Sequence, residues 1–385
     1  MKWKIFLIIM LVWRLFLAFH AKHGDMYNNL DWGKIAVDRG LNGFYDLPKE
    51  IWPHSRPNQP PGSILLHAAS RYFYLGADKL INWSNAKLPI FPSFMGWWWQ
   101  DHGELVSIKI PSITADFAIF AAIYTWGSPL VAAIYLLNPV LWYNSSFWGQ
   151  TDAVVAAFAV WSLLCLFKKK YTLSVILLAL SFVIKASWLP IVPLYLLYWF
   201  RNKVNFAPLL AGLITAFVVV LPFQPQITLI ARILAGESAY VTVNAFNFWN
   251  LVYGPDFVLE QSWMRSISIL IVALFLGWQM FRLWKKPEPQ MLLQSSMLLF
   301  FAVFLFMTRM HERYLYPVFP LISLLLVSES RYWFGYIVLS ITFLINLYFQ
   351  WWAPGIPWLV AIYTPTFTKI ISGINLAIFA YENKN

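Results

Sequence analysis

The sequence predicts an all-α polytopic membrane protein, built as a single integral membrane domain over residues 1–385. Three observations carry that prediction. Hydrophobic residues make up 60% of the chain and charged residues only 12%, whereas soluble domains carry about a quarter charged residues. Apolar runs recur from one end to the other, with no soluble domain, internal repeat or low-complexity tract between them. Aromatic residues reach 19%, including 22 Trp and 32 Phe, as expected of a chain anchored at two membrane interfaces.

Taken in order, the first run covers residues 5–19 behind Lys2 and Lys4. A signal peptide begins in the same way. Arg14 interrupts the apolar centre, however, and no small-x-small cleavage site follows, so a retained first helix near 4–20 is expected. Further runs predict helices near 107–126, 129–145, 151–167, 171–187, 189–200, 206–222, 263–282, 290–307, 314–328, 332–349 and 357–381. The total is about 11–12 spans, because several runs fall short of the ~20 residues a bilayer needs. The last carries Pro365 and Lys369 and reads as partly interfacial. Two hydrophilic segments remain, a long loop over 21–106 and a shorter one over 223–262. Within the first, residues 62–74 are too short to span and read as an amphipathic helix lying on the membrane.

Loop charge sets the orientation. Lys2 and Lys4, Lys168 to Lys170, Arg201 and Lys203, Arg282 with Lys285 and Lys286, and Arg331 fall on one side if the helices alternate. The positive-inside rule makes that side cytoplasmic. Both long loops, and the short ones around 145–151, 187–189 and 308–313, are then extracytoplasmic. The net charge of +11 is scattered among these loops and forms no basic stripe, which excludes a nucleic-acid partner and leaves the lipid bilayer as the environment. Cys165 is the only cysteine, which excludes an internal disulfide and a Cys-based zinc site.

The orientation brings four polar clusters to one face: His23-Gly24-Asp25, Trp148-Gly149-Gln150-Thr151-Asp152, the stretch from Asn244 to Asn250, and Arg309 to Arg313. A carboxylate such as Asp25 at the mouth of a cavity can act as general base on a hydroxyl; its plain reading is an ordinary loop acid, like Asp31, Asp38 and Asp46. Arg309, His311 and Arg313 gather cationic groups that can bind a phosphate, the alternative being local pairing of Arg309 with Glu312 at i,i+3. Asp152 opens a helix, where the macrodipole alone favours an acid. Lys185 near the outer end of one run, and Asp116 within another, either pair or line a cavity; Arg14 is a possible mate of Asp116. Gln59-Pro60-Pro61-Gly62 reads as a rigid entry into the interfacial helix. Asn144-Ser145-Ser146 matches a glycosylation sequon weakly, because it hugs the membrane.

These residues resemble the GT-C superfamily of polyprenyl-phosphate-sugar-dependent glycosyltransferases. His23-Gly24-Asp25, Trp32, and Gln59-Pro60-Pro61-Gly62 with His67 look like the first lumenal loop of the dolichyl-phosphate-glucose glucosyltransferases. Leu137-Asn138-Pro139 through Trp148-Gly149-Gln150-Thr151-Asp152-Ala153 is similar to a stretch in bacterial GT-C enzymes and GPI-anchor mannosyltransferases, and Asn247-Phe248-Trp249 and His311-Glu312-Arg313-Tyr314-Leu315-Tyr316-Pro317 also look like bacterial motifs. The resemblance spans roughly residues 1–330. It implies a GT-C-like bundle and inverting transfer of a single hexose, mannose or glucose, from a polyprenyl-phosphate-linked donor to a hydroxyl of a glycan, lipid or protein acceptor. Asp25 would be the base, with His311, Arg313 and Arg309 at the donor phosphate and His23, Gln59, Gln150, Asp152, Lys185 and Asn247 binding substrate. The resemblance implies no metal or other cofactor. The site would face outward from the plasma (inner) membrane, or into the ER lumen in a eukaryote. One departure stands out: the glucosyltransferases carry an acid before the Pro-Pro pair, where this chain has Asn58-Gln59. Asp25 is thereby left as the main candidate base.

The rival is a transporter or flippase of a lipid-linked sugar. Such a protein is expected to show repeats, broken helices in both halves and a midplane site, none of which the sequence carries.

Overall fold

A computed structural model describes residues 2–21, 23–224 and 238–384. Residues 225–237 of the expected second loop, and Lys22, lie outside the described residues. The fold is nearly all α, with 77% of it helical. Among the described residues, four helices are long and apolar enough to cross a membrane: Trp3–His20, Phe94–Trp126, Ser262–Lys285 and Pro289–Phe306. Shorter apolar helices cover Asp152–Phe167, Tyr171–Ile184, Leu209–Phe223 and Tyr332–Tyr348. Ile5, Ile8, Ile9 and Val12 on the first helix, and Leu210, Leu213 and Phe217 further on, are exposed. Apolar patches of this kind mark a lipid-facing surface, and together with the long helices they fit a multi-pass membrane protein.

The chain begins with α1 (Lys2–His20) and α2 (Gly24–Arg39), followed by α3 (Pro61–Lys87) and α4 (Phe94–Trp126). The expected long loop over 21–106 is therefore mostly helical, and α4 starts at Phe94 rather than near 107. Hydropathy marks depth in a bilayer, whereas helix length follows the hydrogen-bond ladder, and the polar stretch Gln100 to Glu104 continues that ladder. α2 packs on α3, and α3 on α4. Close approach needs glycine at two points. A Cβ on Gly33 would sit 2.6 Å from the His67 carbonyl oxygen, and one on Gly62 would sit 2.6 Å from that of Val183.

The expected helix over 129–145 is broken. α5 (Pro129–Leu137) stops at Asn138-Pro139, because proline offers no N–H to continue the ladder. Asn138 Oδ1 accepts from Val140 N at 3.1 Å and caps the short α6 (Pro139–Trp142). A π-helical turn, Tyr143–Trp148, follows and ends at Gly149 in the left-handed region, φ 83°. Asn144 is fully buried in this turn. A glycan has no room there, so the sequon match is structural. α7 (Asp152–Phe167) and α8 (Tyr171–Ile184) then pack along each other. The run near 189–200 divides into a 3-10 segment, Ala186–Ile191, and the helix Val192–Arg201. The last run divides at Pro365 into Pro357–Val360 and Pro365–Lys384.

Polar pairs hold the helices together where lipid offers no hydrophobic gradient. Arg14 of α1 pairs with Asp116 of α4, both fully buried. Asn138 Nδ2 donates to Tyr336 Oη at 2.9 Å. Asn375 Nδ2 donates to the Phe246 carbonyl at 2.9 Å.

Candidate functional site

The linker between α1 and α2 is pinned from below. The ammonium of Lys109, buried within α4, donates to the carbonyls of Ala18 at 3.0 Å and Ala21 at 2.8 Å. These are end-of-helix carbonyls that lack intrahelical partners. Just beyond, His23 caps α2: its Nδ1 accepts from the Asp25 backbone N–H at 3.1 Å. The His23 ring lies against Trp148 (centroids 4.2 Å apart) and Trp351 (3.6 Å). Asp25 is thus fixed in the first turn of α2.

Its carboxylate meets groups from two other parts of the chain. Gln150 Nε2 donates to Asp25 Oδ2 at 2.8 Å, and the Arg313 guanidinium stands 3.7 Å from the same oxygen. The left-handed turn at Gly149 aims Gln150, whose carbonyl accepts from Ser112 Oγ at 2.7 Å. Arg313 enters from a 3-10 turn, Glu312–Leu315, after the strand residues Met310–His311, which pair in parallel with Thr242–Val243. Glu312, fully buried, receives a hydrogen bond from Arg313 at 3.0 Å. Beside them Lys185, the C-cap of α8, donates to Asp152 at 2.5 Å. The Tyr314 ring joins the two halves, with Arg313 5.7 Å and Lys185 5.5 Å from its centroid and His311 packed against it at 5.1 Å.

Asp25, His23, Gln150, Asp152, Lys185, His311 and Arg313 are therefore brought into one constellation. Three expected site residues stand elsewhere. Arg309 does not pair with Glu312; its Nε donates to Glu260 Oε2 at 2.9 Å, and Arg265 and Thr308 share that carboxylate. Glu312 is taken by Arg313 because the strand before it turns Arg309 away. Asn247 is fully buried as a helix cap: its Oδ1 accepts from the backbone of Trp249 and Asn250, both at 3.1 Å, and its amide donates to the Phe304 carbonyl at 3.2 Å. Gln59 accepts from Ser63 Oγ in the first turn of α3, which makes it part of that helix's entry.

Two contributors escaped the sequence reading. Lys109 is a lone charge inside an apolar run, the signal that had already singled out Asp116. Trp351 sits in a Trp-Trp pair at a helix end, where aromatic anchoring is the ordinary explanation.

Burial sets the charge states. It drives the His23 pKa down to about 3, with Arg313 and Lys109 adding to the effect and Asp25 opposing it. His311 is held well below its ordinary value by burial and by the charges of Arg313 and Lys185. Both rings are neutral at pH 7. Burial raises the Glu312 pKa, against the pull of Arg313. Burial opposes the charge of Arg313 as well, but Glu312 and Asp25 outweigh it and hold the guanidinium above its usual range. Of the three carboxylates, Asp25 is 33% exposed, Asp152 6% and Glu312 1%. An incoming molecule can reach only the first. Among the described residues no cluster of three or more His, Cys, Asp or Glu forms a metal site.

A pH dependence of stability follows from His67, which is buried in α3 and held by burial at about 3 against 6.5 when unfolded. The unfolded chain takes up this proton first, so the stabilisation is complete above pH 6.5 and is lost as pH falls toward 3. Near pH 5 the loss is about 2 kcal/mol. Thermal unfolding of detergent-solubilised protein is expected to show it beside the like contribution of His23, and His67→Gln to lower the slope over that window. An unchanged slope in the variant would remove His67 as the source.

Compared with known proteins, the chain matches no family model and no curated sequence.

Proposed function

We propose that the chain is an inverting glycosyltransferase that moves a single hexose, mannose or glucose, from a polyprenyl-phosphate-linked donor to an acceptor hydroxyl. In this reading the helices form a GT-C-like bundle and the site faces the extracytoplasmic side of the membrane. One observation carries the proposal: Asp25 is the one reachable acid of three around a charged, largely enclosed guanidinium, that of Arg313, 15% exposed. A base must meet its substrate, and a phosphate site must hold positive charge nearby.

The chemistry follows from those positions. The acceptor hydroxyl hydrogen-bonds to Asp25, whose other partners, Gln150 and Arg313, fix its direction. As the hydroxyl oxygen attacks the anomeric carbon, its proton passes to Asp25. The bond from that carbon to the phosphate oxygen breaks on the opposite face, and the electron pair leaves with the polyprenyl phosphate. Arg313 and Lys185 stabilise the developing charge. His311, neutral through burial, contributes a hydrogen bond rather than a charge. Arg309, engaged by Glu260, has no part in this scheme.

The test is an assay of membranes containing the protein against a panel of radiolabelled polyprenyl-phosphate sugars. Label should move from one donor to an acceptor with release of polyprenyl phosphate. Movement of intact lipid-linked sugar across the bilayer without release would replace the transferase reading by a flippase.

A further inference from the structure

A second polar groove, of about 210 Å³, opens between α2, α3 and α4. Asp31 and Lys34 of α2, Arg71 of α3 and Glu104 of α4 line it, with the rings of Tyr27 and Tyr74. None of these six belongs to the constellation around Asp25. Two acids and two bases cancel, so the groove favours neither a cation nor an anion. Its polar groups are only half used. Asp31 Oδ2 meets His54 Nδ1 at 2.6 Å, and Glu104 Oε1 accepts from Arg71. Each of these contacts uses one carboxylate oxygen, and the buried Arg71 Nε has no partner among the described residues. Both rings are braced from behind: Tyr27 is stacked on His54 at 5.3 Å and Tyr74 on Trp99 at 5.9 Å. Tyr27 is still 41% exposed.

Planar carboxylates and guanidinium bond pairs of neighbouring groups at once, and braced rings give a flat apolar face at little cost in entropy. A neutral molecule with adjacent hydroxyls and a C–H face satisfies both. We propose that the groove is a docking site for one neutral hexose unit of a glycan. It cannot hold the hydroxyl that reacts at Asp25. Asp31 follows Asp25 by six residues on α2, about 9 Å along the axis and on another side of the helix. The groove therefore takes a unit remote from the transfer point. Identifying that glycan as the acceptor rests on the transferase reading, whereas its binding does not.

The experiment uses the full chain in detergent and neutral manno- and gluco-trisaccharides as probes, followed by saturation-transfer NMR. Wild-type protein should transfer saturation to at least one trisaccharide. Tyr27→Ala and Lys34→Ala, both at exposed side chains, should each weaken binding about tenfold. No signal from any trisaccharide, equal binding by the groove variants, or preference for acidic or peptide probes would each overturn the proposal. Because binding is read without turnover, failure of the groove and failure of the transferase reading show separately.

Discussion

Asp25→Asn is expected to reduce sugar transfer by about 10²–10⁴-fold in kcat, the contribution of a positioned general base, while leaving expression, membrane insertion and melting temperature near those of the wild type. Asparagine has the same shape, and its amide oxygen can still accept from Gln150. What it lacks is a lone pair basic enough to take a proton. The surroundings should tolerate the change. Asp25 is one-third exposed, and Arg313 keeps its nearer partner, Glu312, at 3.0 Å. The reading is initial rates from the donor identified in the membrane assay, beside a thermal melt of each protein. Full activity in the variant would remove Asp25 as the base. Equal loss of activity and folding would make it a structural acid.

Much of the constellation around Asp25 is legible in the sequence. The positive-inside argument needs only loop charges, and it placed Asp25, Gln150, Asp152, Lys185, His311 and Arg313 in segments that the structure brings into contact. Long-range pairing was less legible. Arg309 has Glu312 three residues away, yet it bonds Glu260, 49 residues upstream, because a two-residue parallel pairing at Met310–His311 turns the chain. Nothing local encodes that pairing. Asn247 shows another limit: an asparagine before an aromatic pair looks the same whether it binds a sugar or caps a helix, and only its three hydrogen bonds decide. Helix ends are hard to read from sequence for a third reason. Apolar runs report the depth of burial, so the polar first turns of α4 look like loop in the sequence. The proline breaks at Pro139 and Pro365 could have been anticipated from the missing N–H.

The largest effect on folding is expected at Arg14 and Asp116. Arg14 pairs with Asp116 and also donates to Ser145 Oγ at 2.9 Å and to the Leu136 carbonyl at 3.1 Å. Asp116 accepts from Ser145 at 2.5 Å and from Tyr316 Oη at 3.1 Å. One ion pair thus ties α1 and α4 to the π-helical turn that precedes Gln150 and to the segment just after Arg313. Removing either partner strands a charge with no water to solvate it, so Arg14→Met or Asp116→Leu alone should cost about 3–5 kcal/mol. The double variant should recover most of that loss, since apolar replacement of a whole buried pair is often neutral. Thermal unfolding of all four proteins closes the cycle. Additive losses would mean that the two groups do not act as a pair. Activity should follow a different order. The double variant regains stability, but Ser145 and Tyr316 lose their anchor, so Gln150 and Arg313 no longer converge on Asp25 and transfer should stay impaired. Recovery of both stability and transfer would show that helix packing alone positions the site, and that the buried pair only adds stability.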